Sequence, residues 1–265
     1  MKRINIIILI SLSLGLALWF GFSQRVFAKK VPTINSNKTK EDTKLIKKSK
    51  DLEKQIEKVN FDKATFSAPA KEFSSFVGKW HIDKDDNNLV YAVDGRKWEK
   101  GLLSEGIVSK AKGLYGSRYA EFLDNLEAYK YFPLTIFKDT KKFTNGELSV
   151  KFKTISGRID QAAGIAFNIK KNGDYLVVRA NPLENNLVLF KMERGKRSSV
   201  RWIRGVKTAS KKWHKLKLVI KGKNIKGYIN NKLYLDYNYK KNIDGKIGLW
   251  SKADSYVLFD EFSVK

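Results

Sequence analysis

Three stretches of this 265-residue chain carry side chains suited to polar recognition or acid–base chemistry. They are Asp160-Gln161, Arg179-x-Asn181-x-x-Glu184-Asn185 and Trp250-x-Lys252-x-Asp254. Asn, Gln and Asp make paired hydrogen bonds to vicinal hydroxyls, and an Arg fork grips two oxygens at once. A flat aromatic face beside such groups suits a polar ring with one apolar side. Asp160, Gln161, Arg179, Asn181, Glu184, Asn185, Trp250, Lys252 and Asp254 are therefore candidate ligand-binding residues, with a carbohydrate or glycan as the expected partner. The same residues admit a plainer reading. Asn181-Pro182 and Asn185-Asn186 are turn signals, Arg179 could pair with Asp160 or Glu184 within a sheet, and Trp250 could be a core residue before an ordinary turn.

Glycosidic cleavage needs two carboxyl groups flanking the bond. Asp160, Glu184 and Asp254 are the candidate catalytic acids. Each lies in a different turn or strand, so the sequence leaves their separation open. Other chemistries are poorly served. The chain has no cysteine and only two histidines, His81 and His214, which excludes thiolate chemistry and disulfides and argues against a His-rich metal centre. No serine nucleophile elbow accompanies either histidine.

The elements that must position these residues are mostly strands. From Leu134 onward the apolar period is two, as in Leu148, Val150 and Phe152 with Ser149, Lys151 and Lys153 on the other face. Roughly eleven short strands with turns every 8–12 residues predict an all-β antiparallel sandwich. Phe76–Ile82 reads as the opening strand, with Leu89–Val93 as its hairpin partner. Ser104–Tyr131 is helical by its three- and four-residue spacing of Ile107, Ala111, Leu114, Ala120, Leu123 and Leu126, interrupted at Gly113 and Gly116.

Ahead of this domain, Lys2 and Arg3, the apolar run Ile4–Phe22 and Val26-Phe27-Ala28 form the pattern of an export signal over residues 1–28. The run is also long enough to stay in the bilayer as an N-terminal anchor over residues 4–22. Either reading places the domain outside the cytoplasm, in the periplasm or beyond the cell. Residues 29–72 read as a Lys-rich linker, partly disordered, and residues 73–265 as the folded domain. The formal charge of +26 would attract anionic envelope polymers or lipid head groups. Nucleic acid is not an expected partner of an exported chain, and lysines spread along the sequence also fit solvated strand faces.

The motifs Ser156–Gly164, Val178–Asn186, Gly195-Lys196-Arg197, Trp213-His214-Lys215-Leu216, Gly245–Ser255 and Phe259–Phe262 follow one another in a familiar order between Phe132 and Val264. On them the chain resembles the concanavalin A-like (LamG-like) jelly-roll superfamily, and within it the bacterial 3-keto-disaccharide hydrolase-like domains. The resemblance implies a two-sheet antiparallel jelly-roll sandwich, to which Ser104–Tyr131 is an N-terminal helical addition. It implies sugar binding on a concave face, and glycoside hydrolysis as the alternative; a non-catalytic interaction module is a third reading. The related glucanases carry a Glu-x-Asp-x-Glu strand that this sequence lacks. An aspartate on the last strand of several relatives helps hold a structural calcium, and Asp260 occupies that place. No other cofactor is expected.

Overall fold

The computed structural model describes residues 57–97, 106–119, 122, 123, 126, 129 and 131–265. The export signal or anchor, the linker up to residue 56 and parts of the helical section lie outside the described residues. Among the described residues fifteen β-strands make two antiparallel sheets. The first runs, edge to edge, β13 (Lys232–Asn238), β12 (Asn224–Ile229), β11 (His214–Lys221), β6 (Gly146–Ser156), β15 (Tyr256–Val264), β4 (Asn88–Asp94) and β3 (Trp80–Asp85). β1 (Glu57–Val59) pairs with the end of β15. The second sheet runs β10 (Lys196–Arg204), β9 (Asn186–Glu193), β8 (Tyr175–Asn181), β7 (Ala163–Ile169), β14 (Lys246–Ser251), β5 (Leu134–Phe137) and β2 (Phe73–Val77). Hairpins such as β7–β8–β9–β10 alternate with pairings of strands distant in sequence, such as β6 with β15 and β7 with β14, as in a jelly roll.

The inner faces meet in one core. Leu148, Val150 and Phe152 of β6 and Val257 and Phe259 of β15 face Ile165, Phe167, Val178, Leu189 and Leu249 of the second sheet. Alternation holds cleanly in β11, where Leu216, Leu218 and Ile220 are buried and the residues between them are not. It fails in β7 and β8, which are buried at every residue. The reason is a second apolar layer. The helix α1 (Ile107–Tyr115), a 3-10 turn (Gly116–Arg118) and Phe122, Leu126 and Tyr129 lie against the outer face of the second sheet, where they bury Ile136, Ala166, Val177, Val188, Phe190 and Trp250. A strand covered on both faces reads as a continuous apolar run.

Three local expectations change. Phe76–Ile82 is two strands in different sheets: Gly78, at φ 86°, turns the chain from β2 into β3. Gly113 sits inside α1, and only Gly116, at φ 57°, ends it. The folded domain also begins before Phe73. β1 adds to β15, and Phe61 is buried against Phe73 and Tyr91, so part of the expected linker belongs to the core.

Gly248 marks a close approach of two strands. A Cβ there would stand 2.0 Å from the carbonyl oxygen of Thr135 on β5, so no side chain fits without moving the backbone. We expect Gly248→Ala to destabilise the domain by about 3 kcal/mol or more, at or beyond the upper range of overpacking. Urea unfolding would show this as a lower midpoint at unchanged slope.

Candidate functional site

Three connections converge at one end of the second sheet: residues 157–162 between β6 and β7, 182–185 between β8 and β9, and 252–255 between β14 and β15. Strand register sets out a row across the outer face beside them. Trp250 stands opposite Gly164, Gly164 opposite Arg179, Arg179 opposite Val188, and Val188 opposite Trp202. Arg179 takes the place of an apolar residue in a buried strand, and its side chain is 1% exposed. Its guanidinium donates through Nη1 to Asn186 Oδ1 and through Nη2 to Glu184 Oε2 at 2.6 Å. Asn186 Nδ2 donates to the same Glu184 oxygen at 2.8 Å. The guanidinium carbon lies 5.4 Å from the Phe190 ring centre and 5.8 Å from that of Trp202, within cation–π range.

The two carboxyl groups beside Arg179 titrate in opposite directions. Burial pushes Asp160 upward, and Lys252 and Arg179 offset this only in part. Asp160 Oδ1 accepts from Asn181 Nδ2 at 2.9 Å, and Oδ2 stands 2.6 Å from Lys252 Nζ. Burial would also raise Glu184, but hydrogen bonds from Asn186 and Arg179 outweigh it and hold this carboxyl low. Asp160 is closed off from solvent, whereas the Glu184 side chain is 38% exposed.

Asp254 organises the loop. Its carboxylate accepts the backbone N–H groups of Arg158 (2.6 Å), Ile159 (3.0 Å) and Asp160 (2.9 Å). Burial works against the charge, and these three donors overcome it, so the carboxyl stays below its usual value. Ser255 continues the tie by accepting from the N–H of Ala162 through Oγ.

The sequence-predicted residues thus gather, with different roles. Asp160, Arg179, Asn181, Glu184 and Lys252 form one polar network. Asp254 is fully engaged with backbone donors, and Gln161 donates to the carbonyl of Gly157 at 3.2 Å. Asn185 sits exposed at φ 47° on the turn, a conformation Asn tolerates, and its neighbour Asn186 is the residue that brackets Arg179. Trp250 is corrected to a core residue: it is fully buried, stacked on Phe132 at 5.6 Å, and its indole donates to Tyr175 Oη at 3.2 Å. An exposed aromatic of this face is Trp202 on β10, at 45%, and the exposed side chains of Ile159 and Leu183 belong to the converging loops. Sequence reasoning missed Trp202 and Asn186. A tryptophan between two arginines, in a strand too charged to be core, was the available signal for the first.

Asp260 lies elsewhere, in the first sheet, where Asn88 and the N–H of Glu261 occupy its two oxygens at a strand bulge. Among the described residues no group of three or more His, Asp or Glu side chains could hold a metal ion.

Comparison with solved structures assigns the fold. The carbohydrate-binding module CBM66 from Bacillus subtilis superposes with a TM-score of 0.53 at 13% identity, over 76% of this chain and all of that one. The fold is a two-sheet antiparallel jelly-roll sandwich. Weaker likenesses include a galectin-like-fold protein of unknown function from Bacillus subtilis (TM-score 0.48, 12% identity, 73% of this chain and 89% of that one) and the β-glucanase of Bacillus licheniformis (0.44, 11%, 79% and 91%). No protein-family model matches the sequence, and no curated protein does.

Two outcomes test these assignments. Asp254→Asn should cost about 1–2 kcal/mol at pH 7, from hydrogen bonds to a partly solvated charged acceptor. A carboxyl held low in the folded state contributes above its unfolded pKa and is lost as pH falls through its folded value. The gap between wild type and variant should therefore be full above about pH 5 and close below about pH 4 in thermal melts. Trp250→Ala should lower stability by about 3–5 kcal/mol, the cost of emptying a buried aromatic site.

Proposed function

We propose that this domain is a carbohydrate-binding module, and that its ligand lies across the end of the second sheet on the Arg179–Glu184–Asn181–Asp160–Lys252 network. The observation that carries the reading is the pairing of a buried, fully oriented Arg179 bracket with the half-exposed face of Trp202 above it. A sugar ring presents hydroxyls at its edge and C–H groups on its face. Glu184 and Lys252, each partly exposed, offer an acceptor and a donor to the edge, while Trp202, Leu183 and Ile159 offer apolar surface to the face. Arg179, Asn186 and Asn181 hold these groups in place without ligand, so little ordering is left to oppose binding. The carbohydrate-binding neighbour CBM66 supports the reading at the level of fold. Export follows as part of the proposal from the basic and apolar N-terminal sequence, which would set the module in the periplasm, outside the cell, or on an inner-membrane anchor.

A second reading, glycoside hydrolysis of the 3-keto-disaccharide type, has one observation in its favour. Asp160 is raised and Glu184 lowered within one network, the opposed pair that an acid and a base require. Against it, both Asp160 oxygens are engaged, by Asn181 and Lys252, and the side chain has no solvent face.

Titration of the full chain with a neutral glycan panel and with 3-keto-glucosides separates the two. Under the binding reading Trp202→Ala weakens glycan affinity about tenfold or more, as for an aromatic anchor worth 1–2 kcal/mol, and no product forms. Glu184→Gln should weaken it several-fold. Product release by wild type that disappears in Glu184→Gln would instead establish the hydrolase. Unchanged affinity in both variants would remove the site.

A further inference from the structure

At its other end the outer face of the second sheet opens into a cleft of about 980 Å³. Its position follows from the strands. In β14 the inward residues are Ile247 and Leu249, so Lys246 shares the outer face with Trp250, at the opposite end of the strand and roughly 13 Å away at the rise of a β-strand. Lys246 pairs in register with Ile169, and beside it α1 brings down Tyr115.

Both side chains are anomalous. Lys246 is only 9% exposed and has no hydrogen-bond or ion-pair partner; burial alone pushes its ammonium down from the usual lysine value. Tyr115 is 7% exposed, and its hydroxyl likewise has no partner. The stem of Lys246 is packed away while its ammonium reaches the cleft, and the Tyr115 hydroxyl is enclosed, so this wall carries two donors without a protein acceptor. Protein interiors rarely leave such groups unpaired, because each costs free energy that an acceptor would recover. Around them stand Lys138, Lys141, Lys142, Lys170 and Lys171, with Asp244 the single acid among the described lining residues. Asp244 is already engaged: its carboxylate pairs with Lys142 at 3.1 Å and its carbonyl accepts from Lys170.

We propose that this cleft binds an acidic polysaccharide, with one oxyanion of the polymer on the Lys246 ammonium beside Tyr115 and further acidic groups along the surrounding lysines. Several lysines around one unpaired ammonium call for a ligand with repeated charge rather than a single small anion. Single-stranded nucleic acid fits less well, because it binds through aromatic platforms and the one aromatic ring here is buried on its faces. The proposal does not depend on the Trp202 site at the other end of the sheet.

The test is titration of the full chain with polygalacturonate, neutral glucan and a single-stranded oligonucleotide at matched salt. Polygalacturonate should bind, and Lys246→Met should weaken it at least tenfold, while Trp202→Ala and the remote Lys217→Ala change it less than twofold. Lys246→Met should also raise the melting temperature of the free protein, since it removes an unpaired, partly desolvated charge. Should that variant not fold, Tyr115→Phe, which deletes one donor, and Lys171→Glu at the rim carry the test, each expected to weaken binding several-fold more than Lys217→Glu. Absence of polygalacturonate binding, equal losses in Lys246→Met and Lys217→Ala, or equal affinity for the oligonucleotide would overturn the proposal.

Discussion

Covering both faces of the second sheet removes water from its strands, and this constraint governs the rest of the molecule. Any polar group on that outer face must find its partners in protein or in a ligand, because the solvent that would serve it has been displaced by α1, Phe122, Leu126 and Tyr129. Two cations nevertheless stand there. Arg179 is compensated by Glu184 and Asn186 and lies against aromatic rings, whereas Lys246 has only the slope of an electropositive cleft around it. The two ends of one sheet face thus hold one guanidinium bracketed by protein acceptors and one ammonium with none.

The polar end is rigid because its connections are cross-tied. Asp254 reaches from the β14–β15 turn to three consecutive N–H groups of the β6–β7 loop, and Asp160 of that loop reaches Asn181 at the start of the β8–β9 turn. Each tie is a charge-assisted or buried hydrogen bond between segments far apart in sequence. Such bonds contribute modestly one by one, but they define a single arrangement together.

Much of the fold was legible in the sequence, since period-two alternation is a local signal and the turn residues punctuate it. The strands of the first sheet, such as β11, follow it closely. The reading loosened wherever a tertiary contact decided the matter. Gly78 splits one apolar run between two sheets, Phe61 joins the core from a segment whose composition resembles a linker, and Trp250 is closed off by Phe132, which lies far from it in the chain. The polar network was legible as residue types, because Arg and Asp inside apolar strands are conspicuous. The division of labour between Asn185 and Asn186 was not, for it depends on which of two neighbours takes the positive φ.

The cross-tied loops also bear on how this surface can change over evolutionary time. An insertion in any one of the three connections would break ties to another, so loop length is not a free variable at this end of the domain. The exposed side chains of Ile159 and Leu183 carry no such obligation. Substitutions at those two positions would therefore change the surface while leaving the ties between the loops intact.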